Sequence, residues 1–285
     1  MKILRDFSAE KLVRKAIKTN WENYHYCLAV SPSVELSIGQ YLTWFITNVP
    51  DHFMNLVVCT QLPPKGADEL IENALNHFRS SHIRKLSWLV HEDVPAVEIK
   101  KYLLSHGLTF RESYGEEMAA DLESVPEDLP IPAGLEIIRV EDKDLLQQWI
   151  HVASVGFGIA EEYEKVWYEF FVEAVFEQPF WTYLALLNDR PVGTSQLFLS
   201  AGVAGIYNVT CVPEARGQGI GAAITQAPLL DARAIGYRIG ILQASEAGAR
   251  VYRRLGFQDF GGLSVYLWEN DEFSRPTDEY LAPKS

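Results

Sequence analysis

The sequence predicts a mixed α/β chain built as two domains of similar size. Three observations carry this. A strand–glycine loop–helix–strand–helix–strand order occupies residues 204–268. A proline-rich stretch, Leu122–Pro132, carries Pro126, Pro130 and Pro132 with no regular period, and reads as an extended linker. The first half repeats the order of the second half in fainter form. At 285 residues the chain has room for two such domains. An apolar fraction of 48% supplies two cores.

The second half opens with an expected strand over Leu135–Val140, followed by helical stretches at 144–155 and 161–176. Strands over 182–188 and 192–199 join through Asp189-Arg190-Pro191, a tight turn suited to a hairpin. Another strand covers 204–212. The segment Arg216-Gly217-Gln218-Gly219-Ile220-Gly221-Ala222 then opens a helix ending near Gly236. Pro228 lies well inside that helix and should kink it. Ile239–Ala244 reads as a buried strand. Ser245 can cap a helix running to Leu255, which stops at Gly256, and Ser264–Trp268 closes the half. Residues after Asn270 read as a polar tail.

In the first half, Leu56–Thr60 and Leu86–Val90 read as strands. Asp68–Ser80 and Val94–Leu104 read as helices, and Met118–Asp121 as a last strand. The expected layout is a first domain over 1–122, a linker over 123–133, a second domain over 134–270 and a tail over 271–285.

Composition excludes several classes. A net charge of −13 argues against a general nucleic-acid binder. No apolar run approaches the ~18 residues that span a bilayer. Met1-Lys2-Ile3-Leu4-Arg5-Asp6 reaches an acid too soon for a signal peptide. Cys27, Cys59 and Cys211 are widely spaced, so neither a disulfide framework nor a zinc site is indicated. The seven histidines show no metal-ligand spacing. The expectation is a cytoplasmic protein with no metal, no membrane and no nucleic-acid partner; its oligomeric state is open.

Charge is unevenly spread. From Glu112 to Glu177 there are seventeen acids against three bases, which reads as a solvated face or as an attraction for a cationic substrate. From Arg216 to Arg254 six arginines stand against two acids, a basic patch near the glycine loop.

Three glycines in five residues let backbone approach a ligand closely. The helix that starts there points unpaired N–H groups and its positive dipole end outward, which suits a phosphate. A dinucleotide fingerprint shares some of these letters. It needs glycines directly after the strand and an acid about 20 positions on. Pro213–Arg216 intervenes here, and Ile239–Ala244 holds no acid. The loop after Leu56–Thr60, Gln61–Gly66, has two prolines and one glycine, so it lacks a succession of N–H donors.

Arg216–Gly221, and Tyr252 followed by Gly256-Phe257, resemble the two motifs of the GNAT superfamily of CoA-dependent N-acyltransferases. The resemblance covers roughly Gly134–Trp268, and the duplicated layout is similar to tandem members with one degenerate domain. It implies a mixed-sheet GNAT fold and acetyl-CoA as acyl donor. Backbone N–H groups of Gly217, Gln218, Gly219, Ile220, Gly221 and Ala222 would hold the CoA pyrophosphate. Cys211 and Val212 would pair with the pantetheine amides, and Tyr252 would donate a proton to the departing thiolate. Arg216 contacts phosphate or exposed carboxylates.

The sequence departs from the family pattern in two places. Ser245 stands where the family carries Asn, so it is a candidate cofactor contact or simply a helix cap. Asn208 stands where a carboxylate base is common, which leaves Glu161, Glu162 and Glu246 as substitute bases. Cys211 reads as a small buried residue rather than a nucleophile, because no motif supplies it with a His. Most of the aromatic stretch from Trp167 to Trp181 reads as core. The implied reaction is acetyl transfer to a primary amine of unspecified identity. The alternative is a non-catalytic acyl-CoA-binding module.

Overall fold

A computed structural model describes residues 2–270 apart from 32–33, 48, 53, 60–62, 64, 92–95 and 177–178. The chain forms two compact units, one of residues 1–36 and 113–263, the other of 37–112 and 264–285. These units cross the boundary near residue 133 that the sequence suggests. The first takes in the N-terminal segment, and both strands that end the sequence halves change unit part-way.

The second unit is built on the end of β1 (Val34–Ile38), which starts in the first unit, and on β2 (Leu42–Thr47), β3 (Leu56–Cys59) and β4 (Lys85–His91), in that sheet order. Beside β4 runs the end of the last strand of the chain. Between them come the helices α2 (Ala67–Ser80) and α3 (Ala96–Ser105). Strands β3 and β4 are parallel, as a crossover through α2 requires. Ile71, Leu75, Phe78, Trp88, Ile99 and Leu103 lie in one buried cluster. Gln61, Leu62 and Pro64 of the expected loop Gln61–Gly66 lie outside the described residues, as does the tail after Asn270.

The first unit begins with α1 (Glu10–Leu28), an element that the sequence patterns did not announce. Its sheet runs from β5 (Thr109–Asp121) inward. The remaining strands are β6 (Leu135–Arg139), β7 (Phe180–Leu187), β8 (Arg190–Ser200), β9 (Val203–Cys211), β10 (Ile239–Ala244) and β11 (Gln258–Glu269). The order is β11-β5-β10-β9-β8-β7-β6. Helices α4 (Lys143–Phe157), α5 (Glu164–Val172), α6 (Ile220–Ala234) and α7 (Glu246–Arg254) complete it.

Two strands are longer than expected. β5 starts at Thr109, not Met118, and β11 at Gln258, not Ser264. Glycines and charged residues in both stretches hid strands that sheet neighbours hold in place. The helix expected over 161–176 is a 3-10 turn over Glu161–Tyr163 followed by α5 alone.

Helix α6 runs unbroken through Pro228. Proline leaves the carbonyl four residues earlier, that of Ile224, without its helical donor. The Ser195 hydroxyl, buried on β8, donates to Ile224 O at 2.6 Å and satisfies it. The linker residues pack along the same helix: Arg233 pairs with Glu127 at 2.7 Å, and Gln226 donates to the Pro126 and Glu127 carbonyls.

Candidate active site

The site is organised by a gap between two parallel strands. Strands β9 and β10 keep register for two pairs, Gly240–Ala204 and Ile241–Gly205. Both strands continue beyond that point without further pairing to each other. The cause lies in β9. Asn208 has φ +51°, a left-handed conformation, and the β8–β9 register shifts between Thr194 and Gln196. Such a bulge bends the strand that carries it. The Thr194 hydroxyl donates to Asn208 O at 2.8 Å and holds the bulge.

β9 ends at Cys211, and a short turn leads to the glycine loop. Gly217 (φ +75°) and Gly219 (φ +85°) are both left-handed, conformations that cost a side-chain-bearing residue energy. Gly219 caps α6, so the first N–H groups of that helix face out of the loop. No acid stands in the first turn of α6 to occupy its positive end.

Arg216 reaches backbone rather than standing free. Its Nε donates to Cys211 O at 3.1 Å and one terminal nitrogen to Gly156 O at 2.8 Å, tying the loop to the end of α4. Gly156 must be small, because a Cβ there would sit 2.4 Å from Thr210 Oγ1.

Tyr252 lies on the buried face of α7. Burial pushes its phenol well above the ordinary tyrosine value; the Cys211 thiol adds to the rise and the Thr225 hydroxyl works against it. The phenol therefore stays protonated at neutral pH, near the end of β9. Gly248 clears space for its ring, since a Cβ there would meet Tyr252 Cε2 at 2.9 Å. The Cys211 thiol is buried, and desolvation raises it to about 11, so it is not a thiolate at neutral pH. Ser245 Oγ accepts from Gly248 N at 3.2 Å, the geometry of a helix cap.

One face of the sheet carries a cluster that no sequence motif marks. Tyr24 of α1 donates to Gln196 Oε1 at 2.8 Å and accepts from Asn208 Nδ2 at 2.7 Å. Tyr207 donates to Asn20 Oδ1 at 2.8 Å, and its ring stacks on Tyr24 at 4.0 Å. Asn20 Nδ2 donates to Ser200 O at 2.9 Å. Asn208 is thus the end of a network anchored on the N-terminal helix. The only sequence signal was the polar residues Asn20 and Tyr24 on the apolar side of an amphipathic stretch.

The proposed substitute bases Glu161, Glu162 and Glu246 are all exposed, the first two on the 3-10 turn and the third at the start of α7. Trp167, Phe170, Phe171 and Phe180 are buried, whereas Phe176 is exposed. Among the described residues no group of His, Cys, Asp or Glu is arranged to hold a metal, and no helix is long and apolar enough to cross a membrane.

Comparison with protein families matches residues 178–259 to the acetyltransferase (GNAT) domain. The match spans β7, β8, β9, the glycine loop, α6, β10 and α7. The chain carries a GNAT domain. Solved structures share the fold. A GCN5-related N-acetyltransferase from Kribbella flavida is 18% identical with a TM-score of 0.66, over 89% of this chain and 95% of its own. A second, from Sphaerobacter thermophilus, is 17% identical with a TM-score of 0.58, over 82% of each chain. A tandem GNAT protein from the clavulanic acid biosynthesis pathway is 14% identical with a TM-score of 0.58, over 97% of this chain and 99% of its own. No curated protein matches the sequence. The matched domain is an acetyltransferase fold, one that supports acyl transfer from acetyl-CoA generally.

Proposed function

We propose that the protein transfers an acetyl group from acetyl-CoA to a primary amine, directly and without a covalent enzyme intermediate. The observation that carries this reading is the β9–β10 gap, flanked by a left-handed glycine loop at a helix N-terminus and by a buried, protonated tyrosine. In this reading the N–H groups of Gly217–Gly221 hold the pyrophosphate, whereas that of Ala222 donates to Gly219 O at 3.1 Å, and the end of β9 at Cys211 and Val212 pairs with the pantetheine amides. Arg216 supports the loop through its two carbonyl contacts. Ser245 acts as the cap of α7, not as a cofactor contact.

The amine nitrogen attacks the thioester carbonyl and forms the C–N bond. Collapse of the tetrahedral adduct breaks the C–S bond, Tyr252 gives its proton to the sulfur, and the surplus proton of the amine passes to solvent. Backbone N–H groups left unpaired where β9 and β10 part are suited to polarise the carbonyl oxygen. No acid on β9 takes part, since Asn208 occupies the place where one would stand. The first sequence half is the remnant of a second such domain, and the protein works in the cytoplasm.

The test is release of free thiol from acetyl-CoA in the presence of spermidine, glucosamine, kanamycin, lysinamide and a peptide with a free N-terminus. Amine-dependent thiol release supports the reading. Tight CoA binding with no release for any amine would favour a non-catalytic acyl-CoA-binding module. The tethering of Asn208 to Tyr24 is the observation on the side of that module.

A further inference from the structure

Thr225 joins the two parts of the site, and no sequence motif marks it. It lies in the second turn of α6, the helix that the glycine loop opens, and is fully buried. Its hydroxyl donates to Gly221 O at 2.8 Å, four residues back in the first turn. The same hydroxyl is hydrogen-bonded to the Tyr252 phenol of α7. A hydroxyl carries one proton and two acceptor sites. With its proton spent on Gly221 O, Thr225 accepts from the phenol. The resting chain therefore runs from Tyr252 O–H to Thr225 Oγ1 to Gly221 O. Cys211 Sγ stands 4.0 Å from the place a Cβ on Gly221 would take, so the end of β9 borders the same spot.

Gly221 O does not depend on the hydroxyl proton. In an α-helix that carbonyl also receives the backbone N–H of Thr225. The Thr225 hydroxyl can therefore turn about its C–O bond without opening the helix. Tyr252 needs such a partner once it has given up its proton. A buried phenolate has lost its water, and the neutral Cys211 thiol offers it no positive charge. Among the described residues, burial and Cys211 hold the proton on the phenol, and Thr225 works the other way. A general acid is effective only where its conjugate base is supported.

We propose that Thr225 is the positioning residue of Tyr252: it holds the phenol at rest and turns its hydroxyl from Gly221 O to the phenolate as the proton leaves for the thiolate. This rests on the acetyltransferase reading with Tyr252 as the acid. The O–H bond of Tyr252 breaks as the S–H bond of CoA forms. The negative charge stays on the phenolate oxygen, to which Thr225 now donates. Solvent then returns to the phenol the proton that it took from the amine, and Thr225 turns back to Gly221 O.

The experiment compares wild type with Thr225→Val, Thr225→Ser, Tyr252→Phe and the pair Thr225→Val, Tyr252→Phe. Turnover is measured with acetyl-CoA and the amine of the panel above that releases most thiol. Thr225→Val is expected to lower kcat about tenfold, with the acetyl-CoA KM within about twofold. Thr225→Ser keeps the hydroxyl and is expected to retain most of the wild-type kcat. In the Tyr252→Phe background, Thr225→Val should change kcat by less than about twofold, because the group it serves is gone. Thr225→Ala, a good helix former, makes the same comparison should the valine protein not fold. A second measurement reads the contact without turnover. Difluorotyrosine in place of Tyr252 gives a more acidic phenol, whose ionisation is followed by fluorine NMR. Thr225→Val is expected to move that ionisation to higher pH, and Thr225→Ser to leave it in place. An ionisation that Thr225→Val does not move would overturn the proposal. So would losses from Thr225→Val and Tyr252→Phe that multiply in the pair; a slow Tyr252→Phe protein would then leave the acid reading standing. A folded Tyr252→Phe protein with wild-type turnover would sink the acid reading, and the proposal with it.

Discussion

Helices α2 and α6 begin alike and diverge within their first turn. Each starts from a glycine in the left-handed conformation, Gly66 at φ +78° and Gly219 at φ +85°, and each comes after a strand with a parallel neighbour. In α2 the first turn holds Asp68 and Glu69, whose charges occupy the positive end of the helix dipole. In α6 the same two places hold Gly221 and Ala222, and no acid lies in the turn. The sequence before α2 also carries Pro63 and Pro64, which have no N–H to donate. On the proposed reading, an anion site is closed not by unfolding the helix, but by answering its dipole from within the chain.

The most direct way to break this contrast is to make α6 resemble α2. The double substitution Gly221→Asp with Ala222→Glu adds two negative charges at the N-terminus of α6. It leaves the left-handed glycines untouched, and a Cβ at Gly221 has no neighbour closer than 4.0 Å. Acetyl-CoA affinity is expected to fall by a factor on the order of a hundred, through lost dipole attraction and added charge repulsion. The unfolding temperature should move little. Retained affinity by calorimetry would show that the loop is not the anion site.

Within α7, Tyr252→Phe separates chemistry from binding. Turnover with acetyl-CoA and a productive amine is expected to fall by about tenfold to a hundredfold, with CoA affinity within twofold. A folded variant with wild-type turnover would remove the acid role. The docking of α1 is tested at Gly205, where a Cβ would stand 2.2 Å from Asn20 Oδ1 and 2.6 Å from Tyr207 Cε2. Gly205→Ala is expected to destabilise the first unit by about 1–3 kcal/mol in chemical denaturation, because neither buried neighbour has room to withdraw. The smallest effect belongs to Ser245→Ala. It should cost about 1 kcal/mol as a lost cap and leave CoA affinity unchanged. A large loss of affinity instead would restore Ser245 as a cofactor contact.

What the sequence revealed divides along physical lines. The order of β6 to β10 and the glycine loop were legible because they rest on local signals: alternation within strands, glycines where φ is positive, Ser245 as a cap and Gly256 as a stop. Tyr252 and the loop stood out through spacing along one chain segment. Tyr24 and Asn20 did not, because each acts on strands more than a hundred residues away. The full lengths of β5 and β11 were hidden for the same reason. Pro228 read as a kink because its remedy, Ser195, comes from another element. Arg216 was left between phosphate and carboxylate, and the carbonyls of Cys211 and Gly156 that it holds were a third choice the sequence did not offer.

The central claim is that one of the two glycine-led helices takes an acyl-CoA and the other does not. Isothermal titration of the full chain with acetyl-CoA counts the sites directly. The expected result is one equivalent per chain, lost in the Gly221→Asp, Ala222→Glu protein. Two equivalents, or one equivalent that survives the double substitution, would contradict it.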